Sequence, residues 1–72
     1  MNNYKIVLFP LVPNKNIWSW SIKKNDIEVA CGKHIEGKNS KEECFKRAKE
    51  ISKDLNLELY ELTNNKLILI GK

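Results

Sequence analysis

Apolar and polar residues exchange along this chain with two different periods. Tyr4 to Phe9 reads Tyr-Lys-Ile-Val-Leu-Phe. That mixture of β-branched, aromatic and aliphatic residues favours a strand, which should stop at Pro10. Pro10 to Asn16 is expected to be a connection, because its two prolines remove ladder donors and its asparagines suit turns. Ile17 to Ile22 then alternates, with Trp18, Trp20 and Ile22 on one face and Ser19 and Ser21 on the other. Lys24-Asn25-Asp26 has turn chemistry. Ile27 to Cys31 alternates again and puts Ile27, Val29 and Cys31 on one side, so these two runs should form a β-hairpin.

Beyond a polar, glycine-containing loop at Gly32 to Asn39, the period changes to that of a helix. Ser40-Lys41-Glu42-Glu43 fits a capping box, with Ser40 as N-cap and Glu43 reaching back to the Ser40 amide. Glu42 and Glu43 also sit at the positive end of the helix dipole. Cys44, Ala48, Ile51 and Leu55 follow at helical spacing with Phe45 on the flank, while Lys46, Arg47, Lys49, Glu50, Lys53 and Asp54 fill the outer face. The helix should end near Leu55, with Asn56 in a left-handed conformation. Leu57–Leu62, a turn at Asn64-Asn65 and Lys66–Gly71 then predict a second hairpin.

The expected fold is therefore a single α+β domain over residues 1–72. Its element order is β-β-β-α-β-β, an antiparallel sheet of about five strands with one helix packed on one face. The two tryptophans should pack under the helix against Cys44, Ala48 and Ile51, since a stripe of small residues leaves room for large rings. One consequence bears on function. The strands Tyr4–Phe9 and Leu67–Ile70 are apolar on both faces, yet one helix covers only one face of a sheet. Unless the Leu11–Val12 segment folds over it, the second face leaves Val7, Phe9, Ile68 and Ile70, or else their neighbours, as a surface for a partner.

Composition narrows the classes of function. The chain has 72 residues, 13 Lys+Arg against 9 Asp+Glu, a net charge of +4 and 42% apolar content. A domain this small buries roughly 60% of its unfolded surface. That leaves little interior for an enzyme pocket of about 300–1,000 Å³. The longest apolar run, Ile6 to Leu11, is far below the ~20 residues of a membrane span. The residues at the start lack the pattern of a signal peptide. Two cysteines without a pairing pattern argue for a reduced, cytoplasmic protein, and the heavy use of Lys, Asn and Ile points to an AT-rich bacterial or phage genome. The basic excess is interleaved with acidic residues and includes a single arginine, Arg47. Mixed charge of that kind is ordinary solvated surface more often than a phosphate-binding face.

No constellation reads as a catalytic, cofactor or metal site. Cys31, His34 and Cys44 are the only soft ligands, one short of the four a structural zinc takes. Cys44 lies on the apolar stripe, where a thiol acts as a small hydrophobe. The glycines at 32, 37 and 71 form no phosphate-binding fingerprint.

Trp18-Ser19-Trp20-Ser21-Ile22-Lys23, Ile27-Glu28-Val29-Ala30 and Asn39-Ser40-Lys41-Glu42-Glu43-Cys44, leading into Ala48 and Ile51, carry one family resemblance. This stretch, about half the chain, resembles the YegP-like family of small bacterial domains. It departs from that family at Asn25-Asp26, where Asn-Gly is common, and its last hairpin looks more like a related family that ends in one. The resemblance implies paired modules or dimers that share sheets, and it brings no activity and no catalytic residues. The expected function is a non-enzymatic macromolecular interaction module, a homodimer or a bacterial or phage regulator or inhibitor of a larger protein, with no cofactor. The alternative is a weak, sequence-tolerant nucleic-acid binder that uses Lys33, Lys38, Lys41 and Arg47 on phosphates.

Overall fold

The turns decide which strands meet. Asn25 and Asp26 have φ of 51° and 67°, and Asn64 and Asn65 have φ of 51° and 62°. Two consecutive left-handed residues are what a two-residue hairpin turn of type I′ needs, and Asn and Asp tolerate that conformation best after glycine. Each turn therefore closes an antiparallel pair, β2 (Ile17–Lys24) with β3 (Ile27–Cys31) and β4 (Glu58–Thr63) with β5 (Lys66–Gly71). The computed structural model describes residues 4–12, 15–32 and 40–71, and completes the fold with β1 (Tyr4–Val12) and α1 (Lys41–Leu55).

The fold is α+β, and the described residues form one helix on a five-stranded sheet. The sheet departs from the expected antiparallel arrangement in two ways. It is mixed, because β1 pairs antiparallel with β2 but parallel with β4. Its spatial order is β3-β2-β1-β4-β5, which is not the chain order. Chain direction explains both. β3 runs parallel to β1, since each is antiparallel to β2. The 15 residues of α1 carry the chain back about 22 Å, the length of a strand. β4 therefore sets out in the same direction as β1 and lies beside it.

β1 also continues past Phe9 and includes Pro10, which pairs with Trp18 of β2. The pairing of β1 with β4 stops at Leu8–Glu61, so Pro10 occupies a stretch with one free side, where a missing N–H is tolerated. Leu11 and Val12 belong to this strand, 44% and 38% exposed, and do not cover the sheet. In β3 a bulge lets Lys23 pair with Glu28 and Ile22 with Ala30, leaving Val29 as the extra residue. The bulge reverses the alternation, so Ile27 and Cys31 fall on opposite faces rather than on one.

At the start of α1 the Ser40 hydroxyl accepts from the Glu43 amide at 3.2 Å and donates to the Glu43 carboxylate at 3.1 Å. Asn16 adds a cap from across the fold, its Oδ1 accepting from the Lys41 amide at 3.0 Å. At the other end Asn56 is left-handed, with φ 55° and ψ 51°, and its N–H donates to the Ser52 carbonyl. Cys44, Ala48 and Ser52 form the buried stripe, with Phe45 and Ile51 half-buried beside it. Leu55, expected on that stripe, is 57% exposed. Ser52 takes the inner position because it holds the helix end, its hydroxyl donating to the carbonyl of buried Leu57.

The core lies between α1 and the sheet. Ile6, Ala48, Leu57 and Leu59 form its centre, with Tyr4, Trp20, Ile22, Phe45 and Ile51 packed around them. Fully burying Ile6, Leu8 or Leu59 contributes about 1.5–3 kcal/mol each. Trp20 joins this core as expected. Trp18 is half-buried at its margin, with the Lys41 ammonium 4.9 Å from its ring centre. Its backbone carbonyl accepts from Cys44 Sγ at 3.1 Å, which ties the first turn of α1 to β2.

Candidate functional site

The strand register sets out the face away from α1 row by row. Ser21, Val7, Tyr60 and Leu69 stand side by side across β2, β1, β4 and β5. In the next row Ser19 pairs with Phe9, and Leu62 pairs with Leu67. In the row on the other side Lys5 lies between Lys23 and Glu58. Exposure rises steadily from β2 to β5. Ser21 and Val7 are 1% and 2% exposed, Phe9, Tyr60 and Leu62 are half-buried, and Leu67 and Leu69 reach 45% and 55%.

Polar contacts close the β2 and β3 side of this face. The Ser21 hydroxyl donates to Glu28 Oε1 at 2.7 Å. Lys5 Nζ lies 2.9 Å from Asp26 Oδ1 and 5.6 Å from the Tyr60 ring centre. Its hydrogen bond holds the Asp26 carboxyl below the usual carboxylate range. Asp26 is open to water, so this pair contributes little to stability.

The two edges of the sheet are built differently. β3 carries Glu28 as its second residue, and its register is broken by the bulge at Val29. An acidic side chain and a bulge are two of the devices that keep an edge from pairing with another chain. β5 has no charged residue from Leu67 to Ile70, and those four residues are 45%, 48%, 55% and 36% exposed. α1 packs over β1, β2 and β4, so Ile68, on the helix side of the sheet, lies beyond its cover. The bulge of this hairpin comes only at Ile70, past the regular run.

The exposed apolar area therefore differs from the one expected. Val7, at 2% exposure, contributes almost no surface. Phe9 is half-buried at the inner margin, and Ile68 and Ile70 are exposed on the edge strand, but Ile68 lies on the helix side rather than on the face of Val7 and Phe9 where it was expected. Leu67 and Leu69, the neighbours of those two isoleucines, join Phe9 and Leu62 on the open face. The signal was present in the two-residue turn, which pairs Leu62 with Leu67 and Tyr60 with Leu69 and so settles which residues of β5 share a face.

Of the basic residues considered for nucleic acid, Lys41 and Arg47 lie among the described residues. Lys33 and Lys38 lie outside the described residues, as does His34. Lys41 Nζ is 3.2 Å from Glu61 Oε2, and Arg47 stands about 120° further round the helix, exposed. Glu61 is held below the usual carboxylate range, first by the Thr63 hydroxyl and then by Lys41, against the opposing effect of burial. Burial pushes the Cys44 thiol up, and the neighbouring Glu43 adds to this, so that it stays protonated. Cys31 is exposed on β3. Among the described residues no helix is long and apolar enough to cross a membrane.

No protein-family model, curated protein or solved structure matches this chain. Its function is therefore argued from the geometry of the sheet.

Proposed function

We propose that this protein is a non-enzymatic interaction module that holds a protein strand against β5 and the apolar rows beside it. The observation that carries this reading is the contrast between the two edges. β3 is blunted by Glu28 and a bulge, whereas β5 offers four uncharged, exposed residues beside unpaired backbone groups. An added strand satisfies those backbone groups, and alternate side chains give it specificity. The buried Cys44 thiol, protonated and bonded to the Trp18 carbonyl, has no nucleophilic role. A module of this kind acts by occupying a surface, as a regulator or inhibitor does.

Selection from a displayed library of random peptides tests this reading. The protein should enrich sequences that alternate apolar and polar residues, and the double variant Leu67→Lys, Leu69→Lys should lose that enrichment while keeping its circular dichroism spectrum. Absence of enrichment, or enrichment that survives the double variant, overturns the reading.

A further inference from the structure

We infer that the strand received by β5 is β5 of a second copy, paired antiparallel about a two-fold axis that passes beside Ile68. This inference rests on the interaction-surface reading and names its partner. The directions of the backbone groups carry it. A two-residue hairpin turn closes on a hydrogen-bonded pair, here Thr63 with Lys66, after which bonded and non-bonded pairs alternate. Glu61–Ile68 is then a bonded pair, whereas Leu62–Leu67 and Tyr60–Leu69 are non-bonded ones. The N–H and C=O groups of Leu67 and Leu69 consequently point away from β4, toward the open edge.

A two-fold axis between neighbouring antiparallel strands stands perpendicular to the sheet, so one residue of β5 must face itself. Only the register centred on Ile68 places the outward groups of Leu67 opposite those of Leu69 in the other copy. That register forms four new backbone hydrogen bonds. Centring on Leu69 brings Leu67 opposite Gly71, beyond the bulge at Ile70, and centring on Leu67 brings Leu69 opposite the turn residue Asn65. With Ile68 at the centre, two Leu67–Leu69 pairs extend the open-face rows across the junction. The two Ile68 side chains meet on the helix side.

Charge agrees with this register. Lys66 falls opposite Ile70 of the other copy, and the two Lys66 residues sit at opposite ends of the junction. Their separation is about 14 Å, beyond the screening length of about 8 Å at physiological salt. The contact is small, in the class below about 1,200 Å² of total buried surface, so the assembly depends on concentration.

Sedimentation velocity over a concentration series, combined with cysteine cross-linking in a Cys31→Ser background, tests the inference. The wild-type protein should shift from monomer to twice the monomer mass as concentration rises. Leu67→Pro should keep the fold, since it removes only an outward N–H, and should lose that shift. If that variant does not fold, Leu67→Lys takes its place. Ile68→Cys should oxidise to a covalent dimer, because the central non-bonded pair sets its Cα atoms about 4.5 Å apart, within disulfide range. Leu67→Cys and Leu69→Cys should not, since each is about 9 Å from its own counterpart. Cross-linking at 67 or 69 in preference to 68, or a folded Leu67→Pro that still doubles its mass, overturns the inference. A wild-type monomer at the highest soluble concentration that still selects peptides overturns self-pairing alone, and a monomer that selects none overturns both proposals.

Discussion

Gly32, just past the end of β3, lies against the edge of the Trp20 ring. The Gly32 amide donates to the Trp20 carbonyl at 2.9 Å. A methyl group on Gly32 would stand 2.7 Å from Nε1 and 2.8 Å from Cε2 of the indole. Those atoms belong to a rigid ring seated in the core, so neither side gives way easily. Glycine is needed here for room, not for an unusual backbone conformation. Gly32→Ala should lower stability by about 1–3 kcal/mol, the usual cost of overpacking, as read from the urea midpoint at unchanged slope. A midpoint equal to that of the wild type would show that the indole moves aside freely. Gly32→Ala combined with Trp20→Phe, which shrinks the ring, should recover part of the loss.

At the scale of elements, the hairpins and the helix were legible because their signals are local. Asn64-Asn65 specifies a turn by its tolerance of positive φ, and Ser40 with Glu43 specifies a helix start by satisfying an orphan amide. The β4–β5 turn can be tuned accordingly. Asn65→Gly should stabilise the protein by a few tenths of a kcal/mol or more, because glycine adopts φ near 62° without strain. Asn65→Val should cost about 1–2 kcal/mol, since a β-branched side chain resists that region. Thermal unfolding of the two variants checks both signs, and a Val variant as stable as the wild type would place the turn in another conformation. The partner of β1 across the sheet was not legible. Nothing within Tyr4–Phe9 says that its second neighbour arrives from residues 58–61, parallel, after a helix. Bulges hid more, because an extra residue at Val29 or Ile70 leaves no mark in the alternation yet reverses every side chain beyond it. The exposed apolar surface was half legible for the same reason. Ile68 and Ile70 were identifiable from their apolarity, whereas the exposure of Leu67 and Leu69 and the burial of Val7 follow from pairings between distant segments.

For the whole molecule, one helix over three strands leaves the fifth outside its cover, and the apolar content of the chain exceeds what that single layer hides. Pairing β5 with its counterpart about a perpendicular two-fold keeps both helices on one face and joins the open rows into a continuous surface. Two copies each carrying +4 also repel one another, and this repulsion has a testable consequence. The attraction across the junction comes from backbone hydrogen bonds and leucine contacts, which salt screens little. The opposing repulsion is long-ranged and falls as the screening length drops from about 10 Å at 0.1 M to 3 Å at 1 M. Self-association should therefore tighten, or hold steady, as sodium chloride is raised across that range. Nucleic-acid binding through lysines would behave oppositely, losing affinity steeply as counterion release becomes less favourable. Sedimentation equilibrium of the protein alone, beside titration of labelled RNA and DNA in the same buffers, separates the two. A dimer that dissociates as salt rises would mean that ion pairs, not the uncharged Leu67–Ile70 edge, hold the copies together, and the β5 junction would then be wrong.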